Sequence, residues 1–377
     1  MMKFTMHTKE LKNMIEKALT VVPKKVAIHA LECVKIEVSE GTVFFSGTDL
    51  EMFLVCKTDK AYECKNGKIL VDGADLKMLT KLAGEITIEE EENTVKITAG
   101  KKTLRMGTVS VEDFPAFPEI ADAENLGVIP DNDFLDAVTN LANFLGQSKA
   151  NKMLMVYNLN FKESRIYASD GSVIGWKNLS LDSKSELVDF CILGSSLPTF
   201  KKVLNVKSTD NLSLSETEKC IQITGTDFTY TQRKLDGKYF DFSRFLNTDC
   251  QYSFDVETKE LMEAVKYDCT ISNKTDKIPL LFSISSEKLI TYYFNGKYEV
   301  MDKIEISNGN FNSEMLIGFN PFYWQDILSV ADADALHVQI SHPKAPVLMN
   351  ADKYGFLLLP VNLDGHEKNV QRFRAVA

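Results

Sequence analysis

Thr8-Lys9-Glu10-Leu11 recurs letter for letter as Thr258-Lys259-Glu260-Leu261, and between the two copies Asp131-Asn132-Asp133-Phe134-Leu135 opens a similar segment. Each segment starts an amphipathic helix; in the middle one Leu135, Val138, Leu141, Ala142 and Leu145 recur at helical spacing. Leu11, Leu135 and Leu261 stand 124 and then 126 residues apart, which is the size of one domain. A period of this kind limits the fold to a tandem array of similar units.

Two further elements keep the same register. Phe44-Phe45-Ser46-Gly47-Thr48-Asp49-Leu50-Glu51-Met52, Ile166-Tyr167-Ala168-Ser169-Asp170-Gly171-Ser172-Val173 and Ile290-Thr291-Tyr292-Tyr293-Phe294-Asn295-Gly296-Lys297 each read as apolar strand, Asp or Asn turn, and second strand. A later helix is expected over Asp72 to Leu82, Ser195 to Leu204 and Asn320 to Leu328, where Pro321 after Asn320 suits a cap followed by the first helical position. These positions predict three similar α+β domains, 1–122, 123–248 and 249–377, each with two helices and two blocks of strands.

Composition agrees with a folded chain: of 377 residues, 44% are apolar and 25% charged, as in ordinary globular proteins. No apolar run is long enough to span a membrane, so no membrane partner is expected. Met1 to Lys12 is charged and starts a helical pattern at once, without an apolar signal region, which predicts a cytoplasmic protein. The seven cysteines are scattered and follow no zinc spacing, so they are expected to be reduced packing residues, with no cofactor or metal. The formal charge of -10 excludes a chain that coats nucleic acid with its whole surface, because phosphate binding needs clustered Lys and Arg. It leaves room for a basic face. The first helices carry Lys9, Lys12 and Lys17, then Lys259 and Lys266; the second helices add Lys77 and Lys81, then Lys201 and Lys202. Equivalent helices in tandem domains present equivalent faces, so an acidic chain with these basic helices sorts its charge by face. The middle first helix departs from this, since Asp131 to Asn143 holds no Lys or Arg.

Four stretches carry a family resemblance. Asp113-Phe114-Pro115-Ala116-Phe117-Pro118-Glu119 closes the first third; Arg233-Lys234-Leu235-Asp236-Gly237-Lys238-Tyr239-Phe240-Asp241-Phe242 follows near the end of the second. Gly318-Phe319-Asn320-Pro321-Phe322-Tyr323 and Leu357-Leu358-Leu359-Pro360-Val361-Asn362-Leu363 complete the set. In order and spacing the chain resembles, end to end, the bacterial sliding clamps, the beta subunits of DNA polymerase III. The resemblance implies the DNA-clamp fold: a head-to-tail homodimer, six domains around a hole that admits a DNA duplex, helices inside and sheets outside. Such heterologous contacts close when the rotation per subunit allows it. It implies a closing contact between Leu104 and Met106 of one subunit and Thr270 and Ile271 of the other.

A ring holds DNA by topology, which separates holding from gripping, so its lining needs only diffuse positive charge. With Lys9 and Lys12, the resemblance implies Lys24, Lys25, Lys77, Lys81, Lys149, Lys152, Lys201, Lys202, Lys274 and Lys277 as residues facing double-stranded DNA, bound without regard to sequence. It implies partners that dock through short peptide motifs: the replicative DNA polymerase, the clamp loader and repair proteins. Their pocket would use Leu154, Ser169, Gly171, Ile174, Asn320, Tyr323, Leu357, Leu359, Pro360 and Val361, a mostly apolar set suited to a peptide cleft. Two stretches differ from the family pattern: Ser172-Val173 stands where a bulky polar residue and Arg are common, and Pro360-Val361-Asn362 stands for Pro-Met-Arg.

Two other readings compete. A metal-dependent nuclease would draw on Asp49 and Glu51, or on Asp332 and Asp334, but His7, His29, His337, His342 and His366 show no ligand spacing, and no P-loop or nucleophile elbow is present. No catalysis is therefore expected. A clamp-like scaffold that binds proteins without encircling DNA would share the repeat and the pocket, but would not need lysines on its inward helices.

Overall fold

The computed structural model describes residues 1–118, 122–148, 150–205, 207–273, 275 and 277–377. Every third of the chain has the order strand, helix, three strands, then one further strand (two in the first and second thirds), helix, three strands. Among the described residues the α-helices are α1 (Thr8–Ala18), α2 (Gly73–Leu79), α3 (Asp131–Asn140), α4 (Leu197–Val203), the single turn α5 (Ser243–Leu246), α6 (Thr258–Ile271), α7 (Pro321–Val330) and α8 (Glu367–Val376). The protein is built of three sheet-rich domains of one pattern.

The helix starts follow from local chemistry. Asp72 caps α2, its Oδ1 accepting from the backbone N–H groups of Ala74 (2.8 Å) and Asp75 (3.3 Å). Asn320 caps α7 by accepting from Phe322 N–H, with Pro321 in the first turn, where its missing N–H costs nothing. The α1 stripe Leu11, Met14, Ile15 and Ala18 is fully buried, each larger side chain contributing about 2 kcal/mol.

By contacts the chain divides into two compact units, one of residues 1–139 with 180–236, the other of residues 140–179 with 237–377. The division has a cause in strand pairing. In the first unit Phe228–Arg233 pairs antiparallel with Met52–Thr58, setting Tyr230 opposite Leu54. That pairing welds strands of the second third to those of the first in one nine-stranded sheet. In the second unit Val173–Asn178 pairs with Tyr354–Leu358, setting Ile174 opposite Leu357. Rings fill each core: Phe200 packs 5.0 Å from both Phe134 and Tyr230 in the first, and Trp324 lies 4.9 Å from Phe282 in the second.

The three repeat turns are built alike. Asp49 Oδ1 accepts from the N–H groups of Glu51 and Met52, Asp170 Oδ1 from those of Ser172 and Val173, and Asn295 Oδ1 from those of Lys297 and Tyr298, at 2.7–3.0 Å throughout. The next residue takes a left-handed conformation each time: Leu50 (φ 76°), Gly171 (φ 93°) and Gly296 (φ 90°).

A last element lies beyond the repeat. Helix α8 buries Phe373 against Tyr292 at 5.4 Å, within a cluster that includes Leu281, Ile290, Met301 and Val370. Arg372 forms two parallel bonds to Glu299, 2.7 and 2.9 Å long, while its guanidinium stacks 4.0 Å from the Phe294 ring centre.

Candidate functional site: an apolar pocket, basic helices and open strand edges

In the second unit a pocket of about 230 Å³ is lined by Leu154, Ser169, Gly171, Ser172, Ile174, Phe240, Phe242, Phe245, Leu357 and Leu359. Its floor is fixed by sheet register, because Ile174 and Leu357 are direct partners on paired strands. The repeat turn supplies one wall. Gly171 lets the backbone pass beside Leu154, whose Cδ1 lies 3.7 Å from where a Cβ would be, and Ser172 O accepts from Leu359 N–H at 2.9 Å. The opposite wall is aromatic: Phe240 and Phe242 stack at 6.0 Å, and Tyr239 meets both edge-on at 5.3 and 5.7 Å. Phe245, on α5, is 49% exposed, and Phe240 and Leu359 are exposed as well. Three exposed large apolar groups around one pocket form a surface that gains by being covered.

Six of the ten residues expected here line this pocket: Leu154, Ser169, Gly171, Ile174, Leu357 and Leu359. The other four lie outside its lining. Tyr323 donates its hydroxyl to Asp170 Oδ2 at 2.7 Å and so braces the turn; burial, then Asp170, push its phenol up to about 12. Asn320 is spent as the α7 cap, and Val361, next to Pro360, donates its N–H to Gly318 O at 2.8 Å. Phe240, Phe242 and Phe245 were not expected in the pocket. They sit about seventy residues from Ile174 in sequence, and the one available signal was the density of aromatic residues in Tyr239 to Phe245.

The expected DNA-facing lysines separate into classes. Lys9, Lys12, Lys24, Lys25, Lys77, Lys81, Lys152, Lys201 and Lys277 are exposed, whereas Lys149 and Lys274 lie outside the described residues. Lys202 is half-buried and bonds Glu16, whose carboxyl it holds below the ordinary range, with Lys12 and Lys77 contributing at longer reach. Lys12, Lys77 and Lys202 thus gather around one acid. Lys17 is different: it is 5% exposed and pairs with Asp227 inside the first unit, so it faces no solvent.

Leu104 and Met106 lie on Lys102–Gly107, the last strand of the five-stranded sheet of the first unit, whose outer edge has no partner strand among the described residues. Leu104 is 40% exposed and Met106 only 6%. Thr270 and Ile271 end α6 in the second unit. Thr270 is exposed, its Oγ1 donating to Lys266 O, and Ile271 O accepts from Asn295 Nδ2 at 2.9 Å. Tyr267, one turn earlier and on the same helix face, is also exposed.

The carboxylates considered for a nuclease do not converge. Asp49 is committed to its turn, and neither Asp49 with Glu51 nor Asp332 with Asp334 belongs to a group of three possible metal ligands among the described residues. Among those residues no helix is long and apolar enough to cross a membrane.

Comparison with known proteins places this architecture. The three-domain arrangement is that of the DNA clamps. A crystal structure of a sliding clamp from Pseudomonas aeruginosa bound to griselimycin superposes with a TM-score of 0.88 at 20% identity, covering 96% of this chain and all of that one. The Helicobacter pylori beta clamp bound to a DNA ligase peptide superposes with a TM-score of 0.82 at 18% identity, covering 96% of this chain and all of that one. In sequence, the beta sliding clamp of Chlamydia muridarum is 24% identical over 374 residues, 96% of this chain and 99% of that relative. Residues 2–118 match the family model for the DNA polymerase III beta subunit, N-terminal domain. Its first third thus matches the DNA polymerase III beta subunit family, and the chain as a whole is similar to the sliding clamps.

Proposed function

We propose that two copies of this chain close head to tail into a ring around duplex DNA and tether the replicative polymerase and other client proteins to it in the cytoplasm, with no chemistry of their own. The observation that carries this reading is the threefold repeat of one strand and helix order along the chain, an architecture it shares over 96% of its length with sliding clamps. Enclosure explains how an acidic chain can work on DNA. It needs only exposed, flexible lysines making screened contacts with phosphates, and Lys9, Lys12, Lys24, Lys25, Lys77, Lys81, Lys152, Lys201 and Lys277 have that exposure. Lys202 contributes less, because Glu16 offsets its charge.

The domain limits 1–122, 123–248 and 249–377 belong to this reading, as does closure through Leu104 and Met106 on one copy and Thr270 and Ile271 on the other. The unpaired edge of Lys102–Gly107 supports it, since an open edge with an exposed Leu is a ready docking strand. Clients would insert an apolar peptide anchor into the 230 Å³ pocket, against Phe240, Phe242 and Phe245. The peptide bound to the Helicobacter pylori clamp supports that use. Tethering raises a client's effective concentration at the primer end without new contacts.

The test is topological. Protein placed on nicked circular DNA by a clamp loader should remain through gel filtration and be lost once the circle is cut. Equal retention on both forms would instead favour a scaffold that never encircles DNA.

A further inference from the structure

The clamp reading leaves one group of side chains in the first unit unused. His29 opens the 3₁₀ turn His29–Glu32, Cys33 begins the strand Cys33–Ser39, and Asp72 ends the strand Gly67–Asp72. Cys33 and Asp72 are direct register partners, so strand pairing sets the thiol beside the carboxylate. His29, four residues before Cys33, completes the group. One ligand atom from each residue lies within 4.8 Å of the other two, with His29 Nε2 4.0 Å from Asp72 Oδ2. No other group of three or more such ligands occurs among the described residues.

The geometry is near that of a metal site. With zinc bonds of about 2.0–2.3 Å, neighbouring ligand atoms in a tetrahedron lie roughly 3.3–3.8 Å apart. Asp72 can serve two roles at once, because Oδ1 caps α2 while Oδ2 is turned toward His29. The local field also favours a cation. Asp72, Glu32 and Asp75 all act electrostatically on the Cys33 thiol, and three carboxylates around one point attract a dication.

We propose that His29, Cys33 and Asp72 bind a zinc ion, with water in the fourth position. Imidazole, thiolate and carboxylate together suit zinc, whereas magnesium and calcium prefer oxygen donors throughout. Binding exchanges the thiol proton for the Zn–S bond and releases that proton to solvent. Glu32 Oε1 already accepts from Val26 N–H at 2.8 Å, so the ion would clip the exposed loop bearing Lys24 and Lys25 to the start of α2, which bears Lys77. This inference stands whether or not the chain encircles DNA.

The test uses the full chain, reduced and freed of metal. Calorimetric titration with zinc chloride should give one site per chain, and cobalt(II) should give a near-ultraviolet thiolate-to-cobalt absorption band. His29→Ala and Asp72→Asn should each weaken zinc binding at least about tenfold. Cys33→Ser should abolish the cobalt band, and Cys64→Ser should leave it intact. His29 is exposed, so its variant reports even if the buried Cys33→Ser protein fails to fold. Absence of binding, a band that survives Cys33→Ser or disappears with Cys64→Ser, or zinc affinity indifferent to His29→Ala and Asp72→Asn would overturn the site.

Discussion

Leu50 shows how a repeat constrains single residues. It occupies the left-handed turn position that Gly171 and Gly296 fill in the other two domains, and a side chain there costs about 1–2 kcal/mol of backbone energy. Leu50→Gly should therefore stabilise the protein by up to about 1 kcal/mol, after the extra entropy of glycine in the unfolded chain is subtracted. Urea denaturation would measure it; destabilisation would mean that Leu50 packing outweighs the strain. Asp268 on α6 is a second strained residue. It is 1% exposed, neither carboxylate oxygen has a hydrogen-bond partner among the described residues, and burial, then Asp302, push its carboxyl up to about 8. Below about pH 4 the group is protonated folded or unfolded. Between there and about pH 8 only the folded chain keeps the proton, so each unit of rising pH removes up to about 1.4 kcal/mol. Asp268→Asn should flatten that slope and raise the melting temperature most near pH 8. An unchanged pH profile would show that the carboxyl finds a partner in solution.

Among the elements, α8 is, with the single turn α5, one that the threefold pattern does not generate. Its hold on the second unit rests on Phe373 in the cluster around Leu281 and Tyr292, with Arg372 laid across Phe294 and bonded to Glu299. The Arg372 guanidinium, then the Tyr292 hydroxyl, hold the Glu299 carboxyl down to about 2, so the pair persists through ordinary acid conditions. Phe373→Ala should cost about 3 kcal/mol, bounded by the docking energy of the helix. Amide exchange would then rise across Glu367–Val376 and in Lys288–Phe294 while α1 stays protected. The helices with repeat counterparts were legible because caps and stripes are local: Asp72, Asn320-Pro321 and the Leu11 face specify them within a few residues. Their ends were less so, since α2 stops at Leu79 rather than Leu82. Lys17 was misread for a different reason. Its partner Asp227 is 210 residues away, and only sheet pairing between the first two thirds of the chain brings the two charges together.

For the molecule as a whole, the proposed ring predicts asymmetric effects at its closing edge. Leu104 is exposed and Met106 is buried on the same strand, so Leu104→Asp should reduce the dimer fraction at least about tenfold and leave the melting of the monomer nearly unchanged. Solution mass over a dilution series would show it, and a dimer indifferent to Leu104→Asp would place the contact elsewhere. Met106→Asp cannot serve, because a charge at a buried position would unfold the strand first.

The three-domain plan was readable in the sequence because a repeat needs no tertiary information: Leu11, Leu135 and Leu261, and the turns at Asp49, Asp170 and Asn295, carry their spacing in the chain itself. Ser169, Gly171, Leu357 and Leu359, which the resemblance names, line one cavity with Leu154 and Ile174. Its aromatic wall was not readable in the sequence. Phe240, Phe242 and Phe245 acquire a role only when α5 and the residues before it fold over the register pair Ile174 and Leu357, and no local pattern records that approach. Cys33 and Asp72 make the same point, since thirty-nine residues of sequence separate two side chains that strand pairing makes neighbours. Local hydrogen bonding and apolar periodicity write themselves into short stretches of residues, whereas the convergence of distant groups is decided by how strands pair and what they bury.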